Sequence, residues 1–338
     1  MSIRKFAIAT AAAALAVSAS GAAWAQTQVN VALDWAFLSY QAPFTIPVDD
    51  GTFADLGLDV TVDRGGGSVD SISKVASGSY DFGHADMYAV AQFNAQNPER
   101  PVIGVMLTHD RALVTVTTLK SSGIETPADL AGRTIAAPAG DSSRQLFPVF
   151  AELNGLDPSS VSWLDVTADL RETLLIQGST DAISGQLTTV VPNLLSRGVS
   201  ADDFTVMAYA DYGLNFYGHM VITRPEFAEA NPDVVTAFLT GMAHGFNVTY
   251  ASPEAAYESI VKRDAFLDRD VELSRLELAS SGFFTENVLE NGLSSPDMEH
   301  LQDSLASAAE IFGFDAPDVS TVYDDSYLPA RELLQIQQ

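Results

Sequence analysis

The sequence has no cysteine in its 338 residues. Without a thiol, the chain forms no disulfide, offers no thiolate ligand to zinc or an iron–sulfur cluster, and has no cysteine nucleophile. A lipid-modified cysteine at a mature N-terminus is excluded for the same reason. Folding must therefore rest on the hydrophobic core, and 47% hydrophobic residues are ample for one large domain or two ordinary ones.

Basic residues are also scarce. The chain has 17 Lys and Arg against 44 Asp and Glu, for a formal charge of −27, and no basic run is longer than two. Such an excess of negative charge repels phosphate backbones and anionic lipid headgroups. We therefore expect no nucleic-acid partner and no membrane-surface partner.

Long apolar runs are missing after the first 25 residues. The only candidate, Phe6 to Ser18, is shorter than the roughly 20 residues of a spanning helix. It follows Arg4 and Lys5 and precedes Ala23-Trp-Ala25, the pattern of a secretory signal peptide with its cleavage site. The sequence predicts a signal peptide over residues 1–25 and an exported, periplasmic protein with no lipid anchor.

The rest of the chain alternates between two periodicities. Period-two or β-branched runs predict strands, and the stretches between them have helical spacing, most with Ser, Thr or Asp as the N-cap. This alternation predicts an α/β fold with largely parallel sheets flanked by helices. The predicted strands lie at 28–33, 58–63, 80–83, 102–107, 113–118, 134–137, 161–166 and 204–209.

The last third, after about Phe216, has an almost purely helical period. We find no internal repeat and no Gly/Ser linker, so any joins between units must be short. The candidate joins, Thr108 to Thr117 and Tyr209 to Val221, divide the mature chain into lobe 1 (26–113 and 216–338) and lobe 2 (114–215). Two α/β lobes joined by two crossing strands leave a cleft, which favours binding a small molecule by hinge closure.

Patterns for catalysis and cofactors are missing as well. The five histidines are widely separated, and the zinc-protease, nucleophile-elbow and phosphate-loop motifs do not occur. Gly65-Gly66-Gly67 lacks the spacing of a dinucleotide fingerprint. We therefore expect no catalytic residue, no metal and no cofactor.

Candidate ligand contacts begin directly after the first strand. Trp35, with Tyr40 and Gln41 nearby, is a candidate aromatic wall, and Asp34 beside it would be costly in a sealed core. The alternative is an ordinary core tryptophan. Gly66, Gly67 and Ser68 follow the second strand, where glycines let the backbone approach a ligand closely.

A second candidate lies at the start of a helix in lobe 2. Ser142, Ser143 and Arg144 follow a predicted strand, so hydroxyls, a guanidinium and free N–H groups converge on a site for a carboxylate, sulfonate or phosphate. The alternative is a plain N-cap with Arg144 in solvent.

Other candidates line the expected cleft less directly. His84, Asp86 and Met87 end a strand and begin a helix, although Asp86 is also explained as an N-cap. Tyr212 or Tyr217, at the second join, would sandwich a ring against Trp35. Packing of the join against the C-terminal helices is the alternative there.

With these residues in view, the chain resembles the periplasmic substrate-binding proteins of ABC importers in the nitrate, sulfonate and taurine group. Within it, the chain is similar to the branch that binds pyrimidine precursors of thiamine. The segments that carry the resemblance are 31–35, 51–60, 78–83, 130–134, 181–182 with Gly185, 212–213 with Tyr217, 231–239 and 251–255.

The resemblance implies a type II periplasmic-binding-protein fold, two hinge strands, and a monomer that passes its ligand to a permease and its ATPase. Two departures bear on the ligand: Ala36 to Gln41 replace the usual Pro-Asn and His, and Val191 replaces a Glu. Because Arg144 and two serines favour an anion, we expect a flat or aromatic molecule bearing a carboxylate or sulfonate. A thiamine-precursor pyrimidine, an enzyme similar to pyrimidine synthase and a ligand-presenting sensory protein remain alternatives.

Overall fold

The computed structural model describes residues 26–337. The predicted signal peptide, residues 1–25, lies outside the described residues. Within 26–337, no helix combines the length and the apolar character needed to cross a bilayer.

The first of two sheets is built from both ends of the described chain. Its five strands lie side by side in the order β2, β1, β3, β10, β4. β3 and β10 are buried along their whole length, so the centre of this sheet lies inside the molecule. The strands are β1 (Thr27–Ala32), β2 (Leu58–Asp63), β3 (Phe82–Asp86), β4 (Ile103–Leu107) and β10 (His219–Thr223).

The second sheet uses only the middle of the chain, in the order β7, β6, β8, β5, β9. Its strands are β5 (Val114–Leu119), β6 (Thr134–Ala137), β7 (Ser162–Asp165), β8 (Ala182–Gln186) and β9 (Phe204–Ala208). The chain therefore passes to the second sheet between β4 and β5 and returns between β9 and β10. We call each sheet with the helices packed on it a lobe; as domain boundaries, the predicted breaks at 113/114 and 215/216 stay a prediction.

The sheets are mixed, whereas the sequence predicted largely parallel ones. β1 pairs in parallel with β2 and β3, and β6 with β7 and β8. β10 runs antiparallel to β3 and β4, and β5 antiparallel to β8 and β9. The two antiparallel strands are those that directly follow a crossing between sheets, so each enters its sheet from the opposite end.

Helices cover both sheets, and those after β10 form the layer that the sequence predicted for the last third. In this layer the Phe238 ring of α9 stacks on Phe82 of β3 with ring centroids 4.2 Å apart. The helices are α1 (Ala42–Asp49), α2 (Thr52–Asp55), α3 (Ser68–Ala76), α4 (Met87–Gln96), α5 (Ser142–Leu153), α6 (Arg171–Ile176), α7 (Leu187–Ser196), α8 (Pro225–Ala230), α9 (Pro232–Ala251), α10 (Pro253–Val261), α11 (Arg269–Phe283), α12 (Glu286–Asn291), α13 (Met298–Phe312) and α14 (Arg331–Leu334).

Candidate functional site

A small cavity lies where the two lobes meet. Lobe 1 contributes side chains that follow β1 and begin α3, and lobe 2 contributes the start of α5, the end of β8 and the first turn of α7. Its lining residues are Asp34, Trp35, Tyr40, Gly67, Ser68, Asp141, Ser142, Gln186 and Thr189. The cavity therefore sits at the carboxyl ends of strands from both sheets, where α/β proteins place their ligands.

The lobes touch at the rim of this cavity through two glycines. A Cβ added to Gly67 would lie 2.4 Å from the carbonyl oxygen of Gly140, and φ of Gly67 is +127°. A side chain at position 67 would therefore hold the lobes apart as well as strain the backbone. The glycine-rich turn is needed for close approach of lobe to lobe.

The lobe 1 wall carries a buried carboxylate surrounded by histidines. Asp34 Oδ1 lies 2.8 Å from His84 Nδ1 and accepts a hydrogen bond of 2.8 Å from Gln41 Nε2, and Asp34 Oδ2 lies 3.1 Å from His219 Nε2. The His109 ring centroid lies 5.5 Å from that of His84 and 4.9 Å from that of His219. We call Asp34, His84, His109 and His219 the acid–histidine cluster.

The pKa values of the four groups in the acid–histidine cluster are shifted in different directions. Burial opposes ionisation of Asp34, but His84 and His219 outweigh it and hold the pKa of Asp34 well below its usual range. Burial also opposes the charge of His219, yet Asp34 and Asp86 raise its pKa overall. Burial lowers the pKa of His84, and that of His109 further. Folding therefore favours the charged forms of Asp34 and His219 and the neutral forms of His84 and His109.

The lobe 2 wall carries two acids and an arginine. Arg171 Nη2 donates to Glu172 Oε1 over 2.7 Å and to Thr189 Oγ1 over 3.0 Å, and Arg171 Nη1 lies 3.6 Å from Asp141 Oδ2. All three charged groups are buried. We call Asp141, Arg171 and Glu172 the arginine–acid cluster.

Burial and pairing act in opposite directions on Asp141 and on Arg171. Burial raises the pKa of Asp141 even though Arg171 and hydrogen bonds from the backbone of Ser143 and Arg144 lower it. The pKa of Arg171 is raised because Glu172 and Asp141 outweigh its own burial. The guanidinium keeps its charge, and its positive charge is already matched within the protein.

Trp35 follows Asp34 of the acid–histidine cluster and lies near Arg171 of the arginine–acid cluster. The residue is 9% exposed, and the guanidinium carbon of Arg171 lies 5.8 Å from the ring centroid. An arginine at this range attracts the electron-rich ring face and helps to fix its orientation. The cavity lining thus combines one aromatic side chain with an acidic side chain from each wall, Asp34 and Asp141.

Residues 39–256, well over half of the chain, match the family described as NMT1/THI5 like. The chain belongs to the NMT1/THI5-like family. This confirms the branch of binding proteins that the sequence resembles.

A curated relative of this NMT1/THI5-like protein is the formylaminopyrimidine-binding protein of Halalkalibacterium halodurans, which is 26% identical over 230 residues. The match covers 68% of each chain.

Solved structures confirm the two-lobe fold. The alkanesulfonate-binding protein SsuA of Xanthomonas axonopodis superposes with a TM-score of 0.69 at 14% identity, covering 91% of this chain and 96% of its own. The nitrate-binding protein NrtA of Synechocystis superposes with a TM-score of 0.66 at 12% identity, covering 91% and 87%. At these identities the likeness shows the fold alone: that of a periplasmic binding protein.

The structure brings six of the predicted site residues of this NMT1/THI5-like protein to the cavity lining: Asp34, Trp35, Tyr40, Gly67, Ser68 and Ser142. Gln41 and His84 lie behind Asp34 and hold its carboxylate. Gly185 lies behind the lobe 2 wall, where it leaves room for Arg171. Whether these residues bind ligand stays a prediction.

Of the three residues of the expected anion site at α5, only Ser142 lines the cavity. Asp141, the N-cap, already accepts a hydrogen bond of 2.9 Å from the backbone N–H of Ser143, which is buried behind it. Arg144 bonds to Asp165 and lies 4.8 Å from the centroid of the Trp163 ring, outside the cavity. An incoming anion would meet a carboxylate at this helix end.

Five other predicted residues also lie outside the cavity lining. Met87 belongs to the hydrophobic core, and Asp86 caps α4 by accepting hydrogen bonds from the N–H groups of Tyr88 and Ala89. Gly66 is exposed, and its N–H donates a hydrogen bond to Asp70. Tyr212 packs its ring against Phe150, and the Tyr217 hydroxyl accepts from the N–H of Asp297. Neither tyrosine faces Trp35, because both turn into the hydrophobic core that supports the second crossing.

Sequence reasoning missed most of the lobe 2 wall: Asp141, Arg171, Glu172, Gln186 and Thr189. It also did not predict His219 as part of the site. The available signals were the position of Gln186 at a strand end and an arginine at a helix start in a chain poor in basic residues.

Proposed function

We propose that the protein is the solute-binding component of an ABC importer, and that it holds a flat heterocycle bearing N–H donors between its lobes. It acts as a periplasmic monomer and delivers the heterocycle to a membrane permease and its ATPase. The family, the fold and a relative named for binding a formylaminopyrimidine support this proposal.

One observation carries the choice of ligand: Trp35 and a buried carboxylate from each wall, Asp34 and Asp141, line the same cavity. Carboxylates accept hydrogen bonds, and an amino-substituted ring supplies donors at its edge. The buried guanidinium of Arg171, beside the cavity, is already paired with two acids. An aminopyrimidine therefore fits better than the carboxylate or sulfonate expected from the sequence.

An enzymatic role has less support. The resemblance to pyrimidine synthase implies a lysine that binds pyridoxal phosphate. Residues 26–337 contain only three lysines, Lys74, Lys120 and Lys262. None of them lines the cavity. The relatives named above are binding proteins.

A thermal-shift and calorimetry series tests the ligand class. We expect the formylaminopyrimidine and 4-aminopyrimidine to raise the melting temperature, and benzoate and ethanesulfonate to leave it unchanged. At a hundredfold excess over Kd the stabilisation should approach about 2.7 kcal/mol. Stabilisation by the two anions alone, or by none of the four compounds, would contradict the proposal.

Replacing the aromatic wall tests the site itself. Trp35→Ala should weaken aminopyrimidine binding about 10- to 100-fold, since stacking of a heterocycle on an aromatic side chain contributes roughly 1–3 kcal/mol. Trp163→Ala is the matched control, because Trp163 lies outside the cavity against Phe147 and Arg144. Equal losses of affinity in both variants would place the binding site elsewhere.

A further inference from the structure

Helix α11 contributes no residue to the cavity lining, yet it touches both walls. On the lobe 1 side, Glu272 Oε2 accepts a hydrogen bond of 2.7 Å from the N–H of Ser39, and the carbonyl of Glu272 accepts one of 2.7 Å from the Ser39 hydroxyl. Ser39 precedes Tyr40, which lines the cavity. Glu272 therefore fixes the turn that positions Tyr40.

On the lobe 2 side, Arg275 reaches helix α7. Its Nη1 donates to the carbonyl of Thr188 over 2.5 Å, and its Nη2 donates to Asn193 Oδ1 over 3.1 Å. Thr188 precedes Thr189, another residue of the cavity lining. Arg275 therefore joins lobe 1 to the part of lobe 2 that faces the ligand.

The two residues are also paired with each other. Arg275 Nε donates to Glu272 Oε1 over 3.0 Å, and the exposed fractions are 2% and 1%. Because Glu272 and Arg275 both belong to α11, separation of the lobes would leave the bond between them intact. It would break the bonds from Arg275 to Thr188 and Asn193, which lie on the other lobe. Bonds made in only one of two conformations shift the equilibrium toward it.

We propose that Glu272 and Arg275 are positioning residues that form a latch between the lobes and set ligand affinity without touching the ligand. The affinity part rests on the proposed function of the cleft; the part concerning lobe closure does not. In the closed arrangement the guanidinium fork is shielded from water, so its two interlobe bonds are stronger than surface bonds.

The absence of cysteine allows a direct test of closure. A label pair at Glu258→Cys and Gln177→Cys, exposed positions on lobe 1 and lobe 2, reports the interlobe distance by pulsed electron spin resonance. We would measure it in the mature protein without added ligand, and measure Kd for the formylaminopyrimidine by calorimetry. The variants are Arg275→Met, Asn193→Ala and the double variant.

Arg269→Met is the matched control, since Arg269 begins the same helix but pairs with Glu254 at the surface. We expect Arg275→Met to shift the distance distribution toward open lobes and weaken binding about tenfold or more, as loss of a charged hydrogen bond implies. Asn193→Ala should also shift the distances toward open lobes and weaken binding, but to a smaller extent. The effects in the double variant should be smaller than the sum of the two single effects. Arg269→Met should change neither quantity.

Distance distributions that superimpose on the parent protein in both Arg275→Met and Asn193→Ala would overturn the latch, even if affinity falls. If Arg275→Met does not fold, Asn193→Ala decides alone, because Asn193 is only half-buried. Failure of the parent protein to bind the formylaminopyrimidine would refute the proposed function and leave the distance measurement as the test of the latch.

Discussion

Each wall of the cleft buries carboxylates and pairs them with groups that can carry a positive charge, but the two walls use different groups. Lobe 1 does so with imidazoles, in the acid–histidine cluster, and lobe 2 with a guanidinium, in the arginine–acid cluster.

The difference lies in which wall can change its charge. A guanidinium stays protonated at any physiological pH, whereas an imidazole titrates close to neutrality. The cation of the lobe 2 wall is therefore fixed, whereas the cation of the lobe 1 wall titrates. The comparison predicts that mutations in lobe 2 cost stability at every pH, and that mutations in lobe 1 change how stability depends on pH.

The largest effect is expected from Arg171→Met. It leaves Asp141 and Glu172 buried without their cation, and removing one partner of a buried pair costs about 3–5 kcal/mol. Denaturant unfolding measures the loss. Arg144→Met is the matched control: its partner, Asp165, is largely exposed, so we expect a cost of about 1 kcal/mol or less. Similar costs for both variants would show that the lobe 2 wall does not depend on its arginine.

A smaller loss is expected from Gly185→Ala. The new Cβ would lie 2.1 Å from Arg171 Nη1 and 2.6 Å from its guanidinium carbon, and this guanidinium is held by Glu172 and the carbonyl of Ser184. Overpacking of this kind costs about 1–3 kcal/mol.

Gly66→Ala is the control for that substitution, because the nearest atom to its added Cβ is 3.8 Å away. We expect a change within about 0.5 kcal/mol for this surface position. A Gly185→Ala protein as stable as the control would mean that Arg171 can move, which contradicts a fixed lobe 2 wall.

The sequence anticipated the lobe 1 wall better than the lobe 2 wall, and for a physical reason. The predicted lobe 1 residues, Asp34, Trp35 and Ser68, all come soon after a strand. The carboxyl ends of parallel strands lie at the same edge of a sheet, whatever the order of the strands in that sheet. Arg171 and Glu172 begin a short helix, where an acid and its neighbour are ordinarily solvated. Their burial depends on Gly185 and Asp141, which only the tertiary fold brings near.

Strand prediction failed for a related reason. Eight of the ten strands follow from local pattern, but β8 reads Ala-Ile-Ser-Gly-Gln, in which only one residue is β-branched and glycine weakens the signal. β10 lies within the second crossing and was taken as part of the join. Its place at the centre of the first sheet is set by pairing with β3 and β4, which are more than a hundred residues away.

The smallest effect in this comparison is a pH dependence in the lobe 1 wall. The folded protein binds the proton of His219 more tightly than the unfolded chain does, because Asp34 and Asp86 raise its pKa above 6.5 in spite of burial. The resulting stabilisation is fully present below pH 6.5 and is lost as pH rises through the folded pKa. His219→Gln removes it, so the difference in unfolding free energy between parent and variant should be largest below pH 6.5 and shrink above it.

The neighbouring groups that titrate are Asp34, Asp86, Asp141, His84 and His109. Asp86, whose pKa burial raises to about 6, also favours the folded state at low pH, whereas the lowered pKa values of His84 and His109 act in the opposite sense. These groups are present in both proteins, so subtracting the two profiles isolates His219 and its coupling. His300→Gln, outside both clusters, controls for loss of a histidine. A parent-minus-variant difference that grows above pH 6.5 would show that folding lowers the pKa of His219 instead of raising it, and a difference that does not change with pH would show that the lobe 1 wall is as fixed as its counterpart.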